Sequence, residues 1–268
     1  MTMLEKIRSH LPMSHPWAHS IYYHDAIGST NTEAKRLAAS GAPEGTIVIA
    51  EHQTQGRGRL GRSFDSPAGT GIYLSVILRP ACPAAQLMHL TCAMAVATCD
   101  AVEDALHFRP GIKWINDLVA GSKKLAGILT EVSIDPATHL IDHAVVGIGL
   151  NCSQRPQDFP PALRDIACSA AMVTGEIPDR AALTAALIQS IHHISHDLLS
   201  GKAALMDRYR KDLVTLARPI TVIRGDHHAD GIALAVDDQG GLTVRYDDGR
   251  LETVNSGEVS VRGLFGYV

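Results

Sequence analysis

The sequence predicts an α+β protein: a mixed β-sheet packed with helices, followed by a small β domain. Residues 46–51, 71–78 and 140–150 are nearly continuous apolar runs, the mark of strands buried on both faces. Residues 83–106 carry apolar side chains at helical spacing and are long enough for a buried helix lying on that sheet. From Arg218 onward the composition changes to short strands and tight turns.

The 268 residues allow one large domain with a small appendage. We divide them into an N-terminal extension (1–19), a ligand-binding domain (20–217) and a C-terminal β domain (218–268). With 46% hydrophobic and 19% charged residues, a sizeable core is available. A formal charge of -4 argues against a chain whose main task is coating nucleic acid. Five cysteines without a CxxC pair suit free thiols in a reducing compartment, so a cytoplasmic location is expected. Residues 1–17 lack the apolar stretch of a signal peptide, and no run approaches the ~18 apolar residues of a membrane span. No membrane role is therefore expected.

Taken in order, Ile21-Tyr22-Tyr23-His24 is a short strand. Ser29-Thr30-Asn31 then opens a helix, with Thr30 and Glu33 at capping-box spacing. Hydroxyl and amide groups at such an element end can also meet a small polar ligand. The strand over 46–51 delivers Gln53 and the loop Gly56-Arg57-Gly58-Arg59-Leu60-Gly61-Arg62, where three arginines and three glycines stand within seven positions. Glycine permits close backbone approach and arginine supplies forked, fixed charge, so the loop reads as a grip for an anion. It also matches a dinucleotide fingerprint and nearly matches a P-loop. Both need a helix directly afterwards, whereas residues 63–71 are turn chemistry leading into a strand. The loop is thus slung between two sheet elements.

Cys92 and Cys99 on the 83–106 helix are expected to be small core residues. Residues 112–119, the turn Ala120-Gly121-Ser122 and residues 123–132 predict a hairpin. Lys113 and Lys124 lie in apolar surroundings, where a lysine snorkels to water or meets an anion, and Lys124 beside Gly127 favours the anion. Asn116 and Asp117 fit a turn entering the hairpin. In the strand over 140–150, Gly147 and Gly149 permit close approach of a ligand or a neighbouring backbone. A Pro-rich surface passage follows, then helices over about 180–200 and 202–216. His192, His193 and His196 have no HExxH or cysteine partner, so they read as an exposed polar face and not as a metal site.

Ser29-Thr30-Asn31, Gln53, the Gly56–Arg62 loop, Lys113-Trp114-Ile115-Asn116-Asp117, Lys124-Leu125-Ala126-Gly127 and Gly147-Ile148-Gly149-Leu150-Asn151, in this order over residues 20–217, resemble the biotin protein ligases. The resemblance implies a catalytic domain related to the class II aminoacyl-tRNA synthetases, with an SH3-like β-barrel at the C-terminus. Ile115 departs from the family's usual proline. Phe64 stands where some members carry a tryptophan near the adenine. Residues 1–20 are too short for the winged helix of repressor-type members, so a ligase without specific DNA binding is expected.

The implied reaction activates biotin with ATP and Mg2+ to biotinyl-5′-AMP, then transfers biotin to a lysine of a biotin carboxyl carrier protein. Carried over residue by residue, Lys124, Arg57 and Arg59 are the catalytic residues. Ser29, Thr30, Asn31, Gln53, Arg57, Gly58, Arg59, Lys124 and Gly127 would meet biotin. Arg59, Arg62, Phe64, Lys113, Trp114, Asn116, Asp117 and Asn151 would meet the nucleotide. Asn116 and Asp117 either bind magnesium or orient the nucleotide, with Asp117 the possible metal ligand. The oligomeric state stays open between monomer and homodimer. Lipoate or octanoyl transfer is the nearest alternative within the fold. A ligand-sensing repressor and an inactive carrier-binding module are the alternatives of other classes.

Overall fold

A computed structural model describes residues 1–256, 259–263 and 267–268. In chain order the elements are α1 (Met3–His10), β1 (Ile21–His24), α2 (Thr30–Ala39), β2 (Ile47–Ala50), β3 (Gly71–Leu78), α3 (Leu90–Leu106), β4 (Gly111–Lys113), β5 (Asp117–Ala120), β6 (Lys123–Ile134) and β7 (Ile141–Asn151). They continue with α4 (Ala170–Thr174), α5 (Arg180–His196), α6 (Lys202–Asp212), β8 (Pro219–Arg224), β9 (His227–Val236), β10 (Leu242–Tyr246), β11 (Leu251–Val254) and β12 (Ser260–Gly263). Among the described residues, seven strands form a mixed sheet in the order β1-β2-β3-β7-β6-β5-β4, and five form an antiparallel sheet in the order β11-β10-β9-β8-β12. Only the β1–β2 pairing is parallel among these strands.

The apolar strands owe their continuity to helices on both sides of the large sheet. Alternation in β2, β3 and β7 sends Ile47, Ile49, Leu74, Val76, Val146 and Ile148 into the main core, where α3 lies. It sends Val48, Ile77 and Val145 to the other face, against Ala34 and Ala38 of α2. The second face carries the candidate site, because Ser75, Gly147 and Gly149 follow the same parity.

Residues Ala84–Leu106 are long and apolar enough to cross a membrane by length and composition, a feature the count of consecutive apolar residues had not suggested. Here the stretch begins with a 3-10 turn at Ala84–Leu87 and continues as α3, which is mostly buried between the sheet, α5 and α6. Cys92 and Cys99 are fully buried in it. The N-terminal residues join the same core: Ile7 of α1, Leu11 and Trp17 are buried, and α1 packs on α5.

Two local expectations need correction. The capping box at Thr30 and Glu33 does not form: Ser29 is the N-cap residue, and Glu33 instead receives two hydrogen bonds from Arg36, at 2.8 and 2.7 Å. The Thr30 N–H, left over at the start of α2, donates to Gln53 Oε1 at 2.9 Å. The run over 112–119 is not one strand but β4 and β5, broken by a turn in which the Trp114–Ile115 peptide is cis.

Candidate functional site

Register across the large sheet lays out the site. Ser75 of β3 pairs with Gly147 of β7, which pairs with Leu129 of β6. One step along, Tyr73 pairs with Gly149, Gly149 with Gly127, Gly127 with Asp117 and Asp117 with Lys113. The glycines in these two rows leave the face without side chains, and this makes a trough. A Cβ on Gly147 would stand 2.0 Å from Asn31 Oδ1, and one on Gly149 would stand 2.5 Å from the Phe64 ring. Neither glycine can be replaced without moving what lies over it.

Lys124 reaches this face through a bulge. Strict alternation back from Gly127 puts Leu125 in the trough and Lys124 behind it. The β5–β6 register shifts between Leu118 and Val119, pairing Leu118 with Ala126 but Val119 with Lys124. The extra residue buries Leu125 and Ala126 together in the core and returns Lys124 to the side of Asp117, a known use of bulges. Its ammonium lies 2.6 Å from Asp117 Oδ1. The Pro-rich passage fixes the backbone here, since Lys124 N–H donates to Ile166 O at 2.7 Å and Cys168 N–H to Lys124 O at 2.8 Å.

The trough opens into a cleft of about 770 Å³, counting the open solvent at its mouth. At one end lies a polar network. Thr30 donates to Gln53 Oε1 through its N–H and, at 3.1 Å, through its hydroxyl. Ser75 Oγ lies 2.8 Å from Thr30 Oγ1 and 2.6 Å from Asn31 Oδ1, and Gln53 Nε2 donates to Ser66 Oγ at 2.9 Å. These side chains are held by one another before any ligand enters. Beside this network and over the cleft lies the glycine-arginine loop. Half-exposed Arg57 approaches Glu131 at 3.4 Å. Arg59 donates to Asn116 Oδ1 at 3.0 Å and to the carbonyls of Ser256 and of Val259, the latter at 3.1 Å. The loop is thereby tied to the C-terminal sheet.

Of the residues singled out in the sequence, Ser29, Thr30, Asn31, Gln53, Arg57, Gly58, Arg59, Arg62, Phe64, Asn116, Asp117, Lys124 and Gly127 all line this cleft. Lys113, Trp114 and Asn151 do not. Trp114 is buried, and its Nε1 donates to Gly240 O at 2.9 Å, so it fastens the C-terminal sheet and offers no face to a nucleotide. Lys113 is buried with its ammonium 3.6 Å from the centre of the Tyr267 ring. Asn151 spends its amide on Cys168 O (3.0 Å) and Gln154 (3.2 Å). It borders an adjoining cavity of about 490 Å³ on the same measure, lined also by Phe64, Phe159, Leu163, Ile166 and Tyr267. Lys124 and Phe64 border both spaces.

Burial works against the charge on Asp117, but the Lys124 contact, the Tyr267 phenol and Lys113 outweigh it and hold the carboxyl below its ordinary range. Burial pushes the Lys113 ammonium down to about 8, with Asp117 opposing. Asp117 does not fit a magnesium ligand in this geometry, because Lys124 and Tyr267 engage its two oxygens. Among the described residues no three His, Cys, Asp or Glu side chains gather as a metal site. The histidines over 192–196 are not simply an exposed face: His192 packs on Trp17 and His15, and its Nε2 lies 3.1 Å from His196 Nε2. Burial pushes the Cys92 and Cys152 thiols up to about 12, which makes them core residues and not nucleophiles. Sequence reasoning missed Ser75, Glu131 and Tyr267. Only the pairing of Ser75 and Glu131 with α2 and the loop, and the return of the tail to β5, bring them to the site.

Residues 23–151 match the model of the biotin/lipoate A/B protein ligase family, and residues 215–262 match the biotin protein ligase C-terminal domain. The chain is 36% identical over 234 residues to the bifunctional ligase/repressor BirA of Bacillus subtilis (strain 168), covering 85% of this chain and 70% of that one. It is 35% identical over 241 residues to the biotin--[acetyl-CoA-carboxylase] ligase of Mycobacterium tuberculosis, covering 87% and 85%. In three dimensions it resembles the biotin protein ligase from Aquifex aeolicus in complex with biotin and ATP, with a TM-score of 0.76, 26% identity and coverage of 91% and 98%. With kinship of this extent along both sheets, the chain belongs to the biotin/lipoate A/B protein ligase family and is a ligase of its biotin protein ligase branch.

Proposed function

We propose that this ligase activates biotin with ATP to biotinyl-5′-AMP and then biotinylates a lysine of a biotin carboxyl carrier protein. The observation that carries this reading is the position of Lys124, brought by the bulge to the junction of the glycine-floored cleft and the adjoining cavity. A biotin carboxylate oxygen attacks the α-phosphorus, and the bond to the pyrophosphate oxygen breaks. Two anions must meet, and unit charges about 4 Å apart repel by roughly 4 kcal/mol at an effective dielectric near 20. Lys124 would stand where that repulsion arises, and Arg57 and Arg59 would add fixed charge from the loop.

Thr30, Asn31 and Gln53 would hold the ureido ring. Their mutual hydrogen bonds hold them in place, so little reorganisation is needed on binding. Magnesium enters this reading as part of the ATP substrate, and no step passes through a protein-held ion. In the second half-reaction the carrier amine attacks the acyl carbon, AMP leaves, and the amine proton passes to solvent. Until then the loop, latched by Arg59 to the C-terminal sheet, would keep water off the anhydride.

The test is incubation of the chain with labelled biotin, ATP and a carrier domain. The expected result is ATP-dependent label on the carrier lysine, with labelled adenylate accumulating when the carrier is left out. Absence of ATP-dependent labelling, or a preference for lipoate over biotin at equal concentration, would sink the reading.

A further inference from the structure

We propose that Tyr267, from the C-terminal tail, is a positioning residue for adenylation: its phenol holds one oxygen of Asp117, so that the carboxylate does not capture the Lys124 ammonium from the cleft. This rests on the reading of Lys124 given above. Asp117 Oδ1 takes the Lys124 ammonium at 2.6 Å, while the Tyr267 hydroxyl donates to Oδ2. The carboxylate is therefore shared between two parts of the chain: an ion pair with Lys124, whose angle is too poor for a hydrogen bond to Oδ1, and a hydrogen bond from Tyr267 to Oδ2. The Tyr267 ring is fixed in turn by the buried ammonium of Lys113, 3.6 Å from its centre, a favourable placement over an aromatic face. Lys113 stands directly across from Asp117 in the β4–β5 register, so the tail tyrosine bridges both partners of that pair.

Lys124 has two competing demands on it. A lysine locked onto a largely enclosed carboxylate presents a neutralised pair to incoming anions, whereas one held on a single oxygen keeps donors for them. If the phenol is removed, Oδ2 faces an enclosed space without its donor. A buried acceptor in that state is costly, and the nearest remedy is for Lys124 to take both oxygens and withdraw from the junction of the two cavities. The charged groups facing Asp117 are Lys124 on β6, Lys113 on β4 and Arg59 on the loop; Arg62 and Arg262 lie close enough to act on Tyr267 and Lys113. All are cations, so the carboxylate stays ionised when the phenol goes. Its proton affinity nevertheless rises by the lost hydrogen bond, which moves the acid limb of the rate profile to higher pH.

Tyr267→Phe in the full chain keeps the ring, the contact with Lys113 and the cavity wall, and removes only the hydroxyl. Pyrophosphate exchange should fall about tenfold in kcat, the scale of a hydrogen bond to a charged group. Biotin affinity and the melting temperature should hold, and the acid limb should shift upward. Tyr267→Leu should add a rise in the KM for ATP, because the wall of the adjoining cavity is also lost. In an Asp117→Asn background the Tyr267→Phe effect should vanish, since there is no longer an anion to restrain. Wild-type exchange rates in Tyr267→Phe, or a parallel loss of biotin binding, melting temperature and exchange, would overturn the positioning role. A wild-type chain without exchange would overturn the ligase reading itself, and this proposal with it.

Discussion

Lys124→Ala separates the two uses of the lysine. Before nucleotide arrives, its ammonium faces one biotin carboxylate at a cleft open to water, where a contact at about 4 Å contributes about 1 kcal/mol and its loss weakens biotin about fivefold. With ATP bound and water displaced, the charge converging on the α-phosphate is offset by about 4 kcal/mol at an effective dielectric near 20, or about a thousandfold in rate. The expected signature is therefore a small rise in biotin Kd by calorimetry beside a collapse of pyrophosphate release. The variant also takes from Asp117, whose side chain is 16% exposed, its ion-pair partner, leaving Tyr267, Lys113 and the more distant Arg59 about it. Removing one member of a buried pair costs about 3 kcal/mol or more. Lys124→Ala with Asp117→Asn should recover most of that stability in denaturant melts and none of the rate. Equal losses in binding and adenylation, or a double variant that regains turnover, would refute the assignment.

Arg59→Ala cuts the ties from the loop to Asn116, Ser256 and Val259. It should still make biotinyl-AMP but release it, read as labelling of bystander lysines; label confined to the carrier would argue against a lid role. Gly147→Ala places a methyl group 2.0 Å from Asn31 Oδ1, so biotin affinity should drop about tenfold or more while overpacking costs about 1–3 kcal/mol; unchanged affinity would remove Asn31 from the site. Lys113 titrates near 8 in the folded chain against an ordinary 10.5, so the unfolded chain holds the proton more tightly between those values. Stability should therefore rise with pH across that window, by about 3 kcal/mol at most. Denaturant melts of Lys113→Met should lack the rise, and parallel curves for the two proteins would contradict it.

Signals carried by neighbouring residues were enough to read most of the architecture. Continuous apolar runs require cover on both faces, and α2 and α3 provide it for β2, β3 and β7. Glycine and arginine alternating between two strands could only be a loop at a sheet end, and Arg57, Gly58, Arg59, Arg62 and Phe64 do line the cleft. The change of pattern at Arg218 was likewise visible, because short strands and turns are local features.

What failed to appear in the sequence depends on pairing between strands. Trp114 and Asn116 are two positions apart in one motif, yet the indole turns into the core toward Gly240 while Asn116 faces the cleft. Lys124 belongs to the trough only because Leu125 bulges, and a bulge is decided by which residue of β5 each residue of β6 meets. Tyr267 is separated from Asp117 by most of two domains, so no spacing rule relates them. Periodicity along one strand determined which residues share a face. Register, bulge and the return of the tail, each set by hydrogen bonds to a distant segment, decided which of those faces became the site.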